Sequence, residues 1–205
     1  MTVLSVKTGT DPEVLTVGLS VGSFFCLRAV YLRSMDDASA VLVPGASLGD
    51  EALEDLARAS ACYEAEKVAL SLVARSEQVS SRLILKLRAR GCDRAIAETV
   101  VDRLRVLGLV DDERFACLWL QSRMRRKAEG RSALLAGLVS RGVGREASAS
   151  ALERTVTAEA EDALLRRFLE EEGLPGGGGD FGARRRLRDA GFSPRAIRDA
   201  IRPDT

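Results

Sequence analysis

Three consecutive carboxylates, Asp111, Asp112 and Glu113, are the residues of this chain best suited to hold a hard cation such as Mg²⁺. Their spacing argues against it. Successive helical positions point in three directions, so the three side chains cannot converge on one ion. Helix capping accounts for them instead. Asp111 suits an N-cap, where its carboxylate accepts from otherwise unpaired backbone N–H groups, and Asp112 and Glu113 then lie near the positive end of the helix dipole. Gly108, just upstream, suits the end of the preceding helix because it reaches left-handed backbone angles at little cost. Phe115 and Trp119, four residues apart, share one face of the new helix. No metal is assigned.

Other catalytic chemistries fall away on composition. The chain contains no histidine, which removes the usual general base, Ser-His-Asp and Cys-His catalysis and most zinc sites. The four cysteines, Cys26, Cys62, Cys92 and Cys117, are widely and irregularly spaced with no C-x-x-C pair, and read as small buried hydrophobes in a reducing compartment. Gly176-Gly177-Gly178-Gly179 lacks the Lys-Ser/Thr that finishes a phosphate loop and reads as a flexible connection. No polar constellation stands at catalytic spacing, so neither an enzyme nor a cofactor is predicted.

Arginine is what remains. Arg123, Arg125, Arg126 and Lys127 crowd the end of the helix that carries Trp119, where the dipole favours cations and a structural account suffices. Arg184, Arg185, Arg186 and Arg188 crowd the start of a later helix. There they oppose the dipole and repel one another, which an acidic surface or phosphate would relieve. Lys plus Arg total 31 against 30 for Asp plus Glu, but the charge is uneven: residues 1–78 carry 6 basic and 11 acidic side chains, and residues 79–205 carry 25 and 19. With one Trp, two Tyr and six Phe, mostly on apolar stripes, there is no base-stacking platform, so any nucleic acid would be met at its backbone with weak sequence preference.

The elements that must position these residues follow from periodicity. Residues 1–13 give no packing signal. Leu15, Val17, Leu19 and Val21 alternate with small polar residues and predict a half-buried strand, followed by strands over 24–32 and 40–43, a turn at 33–37 and a stop at Pro44-Gly45. From Gly49 the period becomes helical. A short acidic helix opens at Asp50, and three helices follow within 65–108, marked by Ala65, Val68, Ala69 and Leu72, then Val79, Leu83 and Leu87, then Ile96, Val100, Leu104 and Leu107. The pattern then recurs. Phe115, Leu118 and Trp119, then Leu134, Leu135 and Leu138, then Ala147, Ala151 and Leu152 mark a second triplet; Leu164 and Phe168, then Leu187, then Ile197 and Ile201 mark a third. Gly91, Gly142 and Gly191 punctuate each triplet at intervals of 51 and 49 residues. Ser193-Pro194 is a favoured helix start.

The prediction is a mainly α protein with a small N-terminal β region over 1–48, in which three tandem three-helix repeats over 49–110, 111–156 and 157–205 form an elongated curved array. The longest uncharged run, Val14 to Leu27, is too short to span a bilayer, is ended by Arg28, and follows Asp11 and Glu13 where a signal peptide needs positive charge, so a soluble cytoplasmic protein without membrane contact is expected.

Gly108 to Ala116, preceded by Lys86-Leu87-Arg88-Ala89-Arg90-Gly91 and by Val100-Val101-Asp102-Arg103-Leu104, resembles the RecX regulatory proteins, bacterial modulators of the RecA recombinase. The resemblance covers about residues 60–202 and is most specific over 83–119. It implies three tandem three-helix repeats, binding in the groove of the RecA filament on single-stranded DNA, and restraint of RecA ATPase, strand exchange and co-protease activity in DNA repair, recombination and the SOS response. It also implies a monomer that catalyses nothing itself. Departures occur at Ala128 to Leu134, at Gly176 to Gly179 and over the N-terminal 45 residues. Two other classes fit the same pattern: a helical-repeat nucleic-acid binder that contacts phosphates independently of RecA, and a scaffold for another protein.

Overall fold

The computed structural model describes residues 1–33, 42–174 and 181–200. Among them are strands β1 (Val3–Thr8), β2 (Val14–Leu19) and β3 (Phe24–Arg28) and helices α1 (Asp50–Val73), α2 (Ser80–Arg88), α3 (Arg94–Val106), α4 (Asp112–Arg126), α5 (Arg131–Ser140), α6 (Arg145–Thr155), α7 (Ala158–Glu171), α8 (Phe181–Asp189) and α9 (Pro194–Ala200). The chain forms two compact units: Met1–Glu77 with Leu83–Val110, and Gln78–Arg82 with Asp111–Thr205.

In the first unit β1, β2 and β3 make an antiparallel sheet in that order. β1 is unannounced in sequence. Its Leu4 is exposed and its Val3 buried, and the strand exists because β2 pairs with it from Val3↔Leu19 to Thr8↔Leu15. The strand expected over 24–32 stops at Arg28, where a 3-10 turn over Ala29–Tyr31 begins. The expectation over 40–43 falls partly outside the described residues. Leu42 and Val43 are not in a strand, and Pro44-Gly45 is a turn. The rest of the turn expected over 33–37, the Gly176 to Gly179 connection and Ile201 also lie outside the described residues.

The sheet packs on α1 through Val3, Val17, Leu19 and Leu27, which meet Leu56, Ala59, Cys62, Ala65 and Ala69 in one core. The small alanines on that face let backbone and sheet approach closely. α1 is one helix of 24 residues rather than a short acidic helix followed by a second one, because no Gly or Pro lies between Asp50 and Val73 to stop it. Glu66, buried on α1, accepts from Arg28 at 3.1 Å, while Arg28 also reaches Asp11 at 2.9 Å and Glu13 at 2.8 Å. Arg103 of α3 joins Glu13 at 3.0 Å. Buried charge is thus met by opposite charge on every side. Leu83, Leu87, Val100 and Leu104 complete the core as their spacing predicts, joined by Ala97 and Val101, while Ile96 of the expected stripe is only partly buried. Leu107, expected on that stripe, is instead the C-cap residue of α3 and half exposed.

The second unit is helical throughout its described residues. Asp111 caps α4, its Oδ1 accepting from Glu113 N and Arg114 N, both at 2.9 Å. Asp112 Oδ1 accepts from Ser80 N at 2.7 Å, and Glu113 Oε1 accepts from Ser150 Oγ at 2.9 Å and from Arg154. The Arg154 guanidinium, and then the Ser150 hydroxyl, hold the Glu113 carboxyl below its ordinary value. Each member of the acidic triplet therefore has its own protein partner, and the three lead to different helices. The core is Val79, Ala116, Leu120, Leu134, Leu138, Ala151, Leu152, Leu164, Leu187 and Ile197, with Phe168 and Phe192 packed edge to face at 5.5 Å. Leu118 and Leu135, expected on the buried stripes, are exposed, because Leu120, Leu134 and Leu138 occupy the inward positions.

The glycine corners recur in detail. Gly91, Gly142 and Gly191 have φ of 85°, 84° and 85°. After each, the next N–H turns back to the helix just ended: Cys92 N to Leu87 O at 3.2 Å, Val143 N to Leu138 O at 3.2 Å, and Phe192 N to Leu187 O at 3.1 Å. A residue with a Cβ would be strained at that φ, so glycine closes each helix.

Candidate partner-binding surface

The arginine clusters singled out in sequence do not survive as clusters. At the end of α4, Arg123 makes a two-pronged pair with Glu129, Nε to Oε2 at 2.7 Å and the terminal nitrogen to Oε1 at 2.8 Å, and Lys127 Nζ reaches the same Oε1 at 2.7 Å. Arg123, burial and Lys127 act on the Glu129 carboxyl in that order of size, and the net result lies below its ordinary value. Arg126 folds back on Ser122, donating to its carbonyl at 3.2 Å and its hydroxyl at 3.1 Å. Two of the four cations are thus neutralised and a third is tethered. Neither Arg125 nor Arg126 has an ion-pair partner among the described residues, and Arg125 lacks even the tether that Arg126 has.

The second cluster is divided by helical geometry. Arg184 and Arg185 are the fourth and fifth residues of α8, and Arg186 and Arg188 lie in its last turn, so the dipole there favours them rather than opposing them. The expected conflict at a helix start is absent because α8 begins at Phe181, earlier than the arginines suggested. Arg185 pairs with Asp189 at 3.7 Å and Arg186 with Glu172 at 3.2 Å. Arg184 and Arg188, four residues apart and so on one face, line a cavity of 530 Å³ together with Arg131 and Arg198. Neither Arg184 nor Arg188 has an ion-pair partner among the described residues. Four guanidinium-bearing side chains around one hollow make a strongly positive surface suited to phosphate or carboxylate.

That hollow is built on the glycine corner at Gly191. Gly130 N donates to Ala190 O at 2.9 Å and Ser132 N to Gly191 O at 3.1 Å, so the start of α5 sits directly on the α8–α9 turn. A Cβ at Gly130 would lie 2.2 Å from the Gly191 carbonyl carbon, so only glycine allows the approach. Arg131 then projects beside Arg184 and Arg188 and donates to Val156 O.

A second hollow, of 690 Å³, lies between α4, α6 and α7 and brings Arg125 together with Arg154 and Arg167. Sequence reasoning missed Arg131, Arg154, Arg167 and Arg198. Each is an isolated arginine on its own helix, and only packing gathers them. Gly130, an N-cap like Gly49 and Gly144, gives no separate local signal for them.

A family model described as "RecX, second three-helix domain" matches residues 111–152, which span α4, α5 and most of α6. "Regulatory protein RecX" of Treponema pallidum (strain Nichols) is 35% identical over 156 residues, covering 76% of this chain and 94% of that protein. The chain belongs to the RecX family. The RecX regulatory protein of Mycobacterium sp. (strain KMS) is 36% identical over 133 residues, covering 60% of this chain and 70% of its own length. A solved structure titled "Crystal structure of regulatory protein RecX" aligns with TM-score 0.71 at 18% identity, covering 98% of both chains, and RecX from Lactobacillus salivarius aligns with TM-score 0.58 at 16% identity, covering 70% of this chain and 96% of its own. The RecX fold therefore extends over this chain at identities where side-chain detail has diverged. Among the described residues no helix is long and apolar enough to cross a membrane.

Proposed function

We propose that this chain is a non-enzymatic regulator that binds the RecA filament on single-stranded DNA and restrains RecA ATPase, strand exchange and co-protease activity, as a monomer in the cytoplasm. The observation that carries the reading is membership of the RecX family across 94% of a relative named as a regulatory protein. The recurrence of the glycine corners at Gly91, Gly142 and Gly191 supports a division into three-helix repeats over 49–110, 111–156 and 157–205 behind an N-terminal region. The Arg131, Arg184, Arg188 and Arg198 surface supports contact with an anionic partner, filament DNA included. The test is RecA ATPase on single-stranded DNA with this protein added up to stoichiometric excess. A progressive fall is expected, and an unchanged rate overturns the reading.

A second reading, direct binding to nucleic acid without RecA, draws on the same four arginines. Affinity for naked single-stranded DNA measured against salt separates the two. Tight binding that falls steeply with salt in the absence of RecA favours the second, and weak binding favours the first.

A further inference from the structure

The hollow between α4, α6 and α7 differs in kind from the all-arginine surface at Gly191. Its rim carries Arg125, Arg154 and Arg167, and its floor is apolar, with Met124 and Leu164 beside Cys117. The three cations are not equally satisfied. Arg154 is bound to Glu113, whereas Arg125 has no ion-pair partner among the described residues. Arg167 is only partly satisfied: its Nε is ion-paired with Glu171 Oε1 at 3.2 Å without hydrogen-bond alignment, one terminal nitrogen is shielded and makes no hydrogen bond, and about a third of the side chain stays exposed. A carboxylate or phosphate that reaches the exposed side of the guanidinium adds a charge-assisted bond there.

The lining decides which anion. No aromatic ring faces the hollow, so a nucleobase would find nothing to stack on, and a sugar–phosphate backbone has no use for a floor of Met124, Leu164 and alanines. A peptide that alternates carboxylates with aliphatic side chains matches both parts: carboxylates take the planar fork of Arg125 and the exposed side of the Arg167 guanidinium, and aliphatic chains displace water from the floor. At 690 Å³ the space falls within the range that encloses a small ligand or a few side chains.

We propose that the groove between α4, α6 and α7 binds an extended acidic segment of a protein partner, with carboxylates on Arg125 and Arg167 and apolar side chains against Met124 and Leu164. The proposal rests on the reading of this chain as a regulator that works by holding a protein. Its test uses no RecA, so the two fail separately.

The test is fluorescence anisotropy of the full chain with a labelled peptide in which pairs of Glu alternate with single Leu, at about 0.15 M salt, where long-range attraction is screened. Comparison peptides carry Gly for Leu or Gln for Glu. The Glu-Leu peptide is expected to bind, with affinity falling about tenfold for the Gly peptide and for R125E, as the loss of one apolar anchor or one charge-assisted bond implies. The Gln peptide is expected not to bind. R195E, on the exposed face of α9, serves as the control and is expected to leave affinity unchanged. Arg125 is exposed, so R125E folds even where an Arg167 variant does not. Equal binding of the Leu and Gly peptides, or equal binding to R125E and the parent, overturns the proposal. So does displacement of the peptide by oligothymidine in the parent but not in R125E, which would make the groove a nucleic-acid site.

Discussion

Ser132 donates its hydroxyl to the carbonyl oxygen of Gly191 at 2.9 Å, and Ser81 does the same to Gly142 at 2.8 Å. In both cases the serine stands at the second position of a helix and the glycine at the corner that closes a helix some sixty residues later; α2 thus engages the α5–α6 turn and α5 the α8–α9 turn. Arg82 reinforces the first latch, donating to Arg141 O at 3.2 Å and Ser140 O at 2.7 Å, and so fills carbonyls that a helix end leaves open. Ser81 and Ser132 each stand ten residues before the glycine that closes their own helix, and the residue ten before Gly191 is Phe181, largely exposed, which has no hydroxyl to donate.

The tighter latch leaves no room for a methyl group. G130A is expected to destabilise the second unit by about 1–3 kcal/mol, the usual range for overpacking, because the new Cβ meets backbone rather than a flexible side chain. G144A, at another helix N-cap but with nothing within 4 Å of a Cβ and φ of −62°, is expected to cost about 1 kcal/mol or less, the preference for glycine over alanine at a cap, and clearly less than G130A. Urea denaturation of the two variants and the parent checks both, and a loss for G130A no larger than that for G144A would refute the close approach.

Glu129 gives the second unit an acid-sensitive joint. Arg123 chiefly lowers its pKa on folding, so its contribution to stability is fully present above the unfolded carboxyl pKa, about 4.3, and is lost as pH falls through the lower folded value. E129Q is expected to cost about 1.5–3 kcal/mol at neutral pH, the range for a hydrogen bond to a charged group, and to show a flatter decline in stability below about pH 5. Denaturation midpoints across pH 3 to pH 7 check this, and parallel curves for variant and parent would speak against it.

Trp119 is the single tryptophan, and Gly137 lies beneath its ring while the Arg141 guanidinium stands 4.5 Å from the ring centroid. G137A would place a Cβ 2.4 Å from Trp119 Cη2. The indole must then move outward and lose its cation–π partner, so a red-shifted fluorescence emission is expected with α5 otherwise retained. An unshifted spectrum would mean that the ring does not rest on Gly137.

If the surface at Gly191 meets the filament, its arginines differ in value. The double variant R184E/R188E is expected to weaken RecA-filament binding by about tenfold, and R185E by less than twofold, since Arg185 sits on another face and pairs with Asp189. Co-sedimentation with RecA on single-stranded DNA measures both, and equal losses would return all four to general electrostatics.

Local chemistry was legible in the sequence. The apolar stripes at Val79, Leu83 and Leu87 and at Leu134 and Leu138, the cap at Asp111 and the left-handed glycines at Gly91, Gly108, Gly142 and Gly191 follow from residue type and spacing alone, because each depends on neighbours within a turn or two of chain. Tertiary structure decided the rest. Strand β1 needs β2, the neutralisation of Arg123 needs the fold of the α4–α5 loop, and the pairing of Arg186 with Glu172 needs the end of α7 beside α8. The gathering of Arg125, Arg154 and Arg167 needs three helices packed together. Charge acts through space, and the distance between two arginines along a chain says nothing of their distance apart until the helices that carry them are packed.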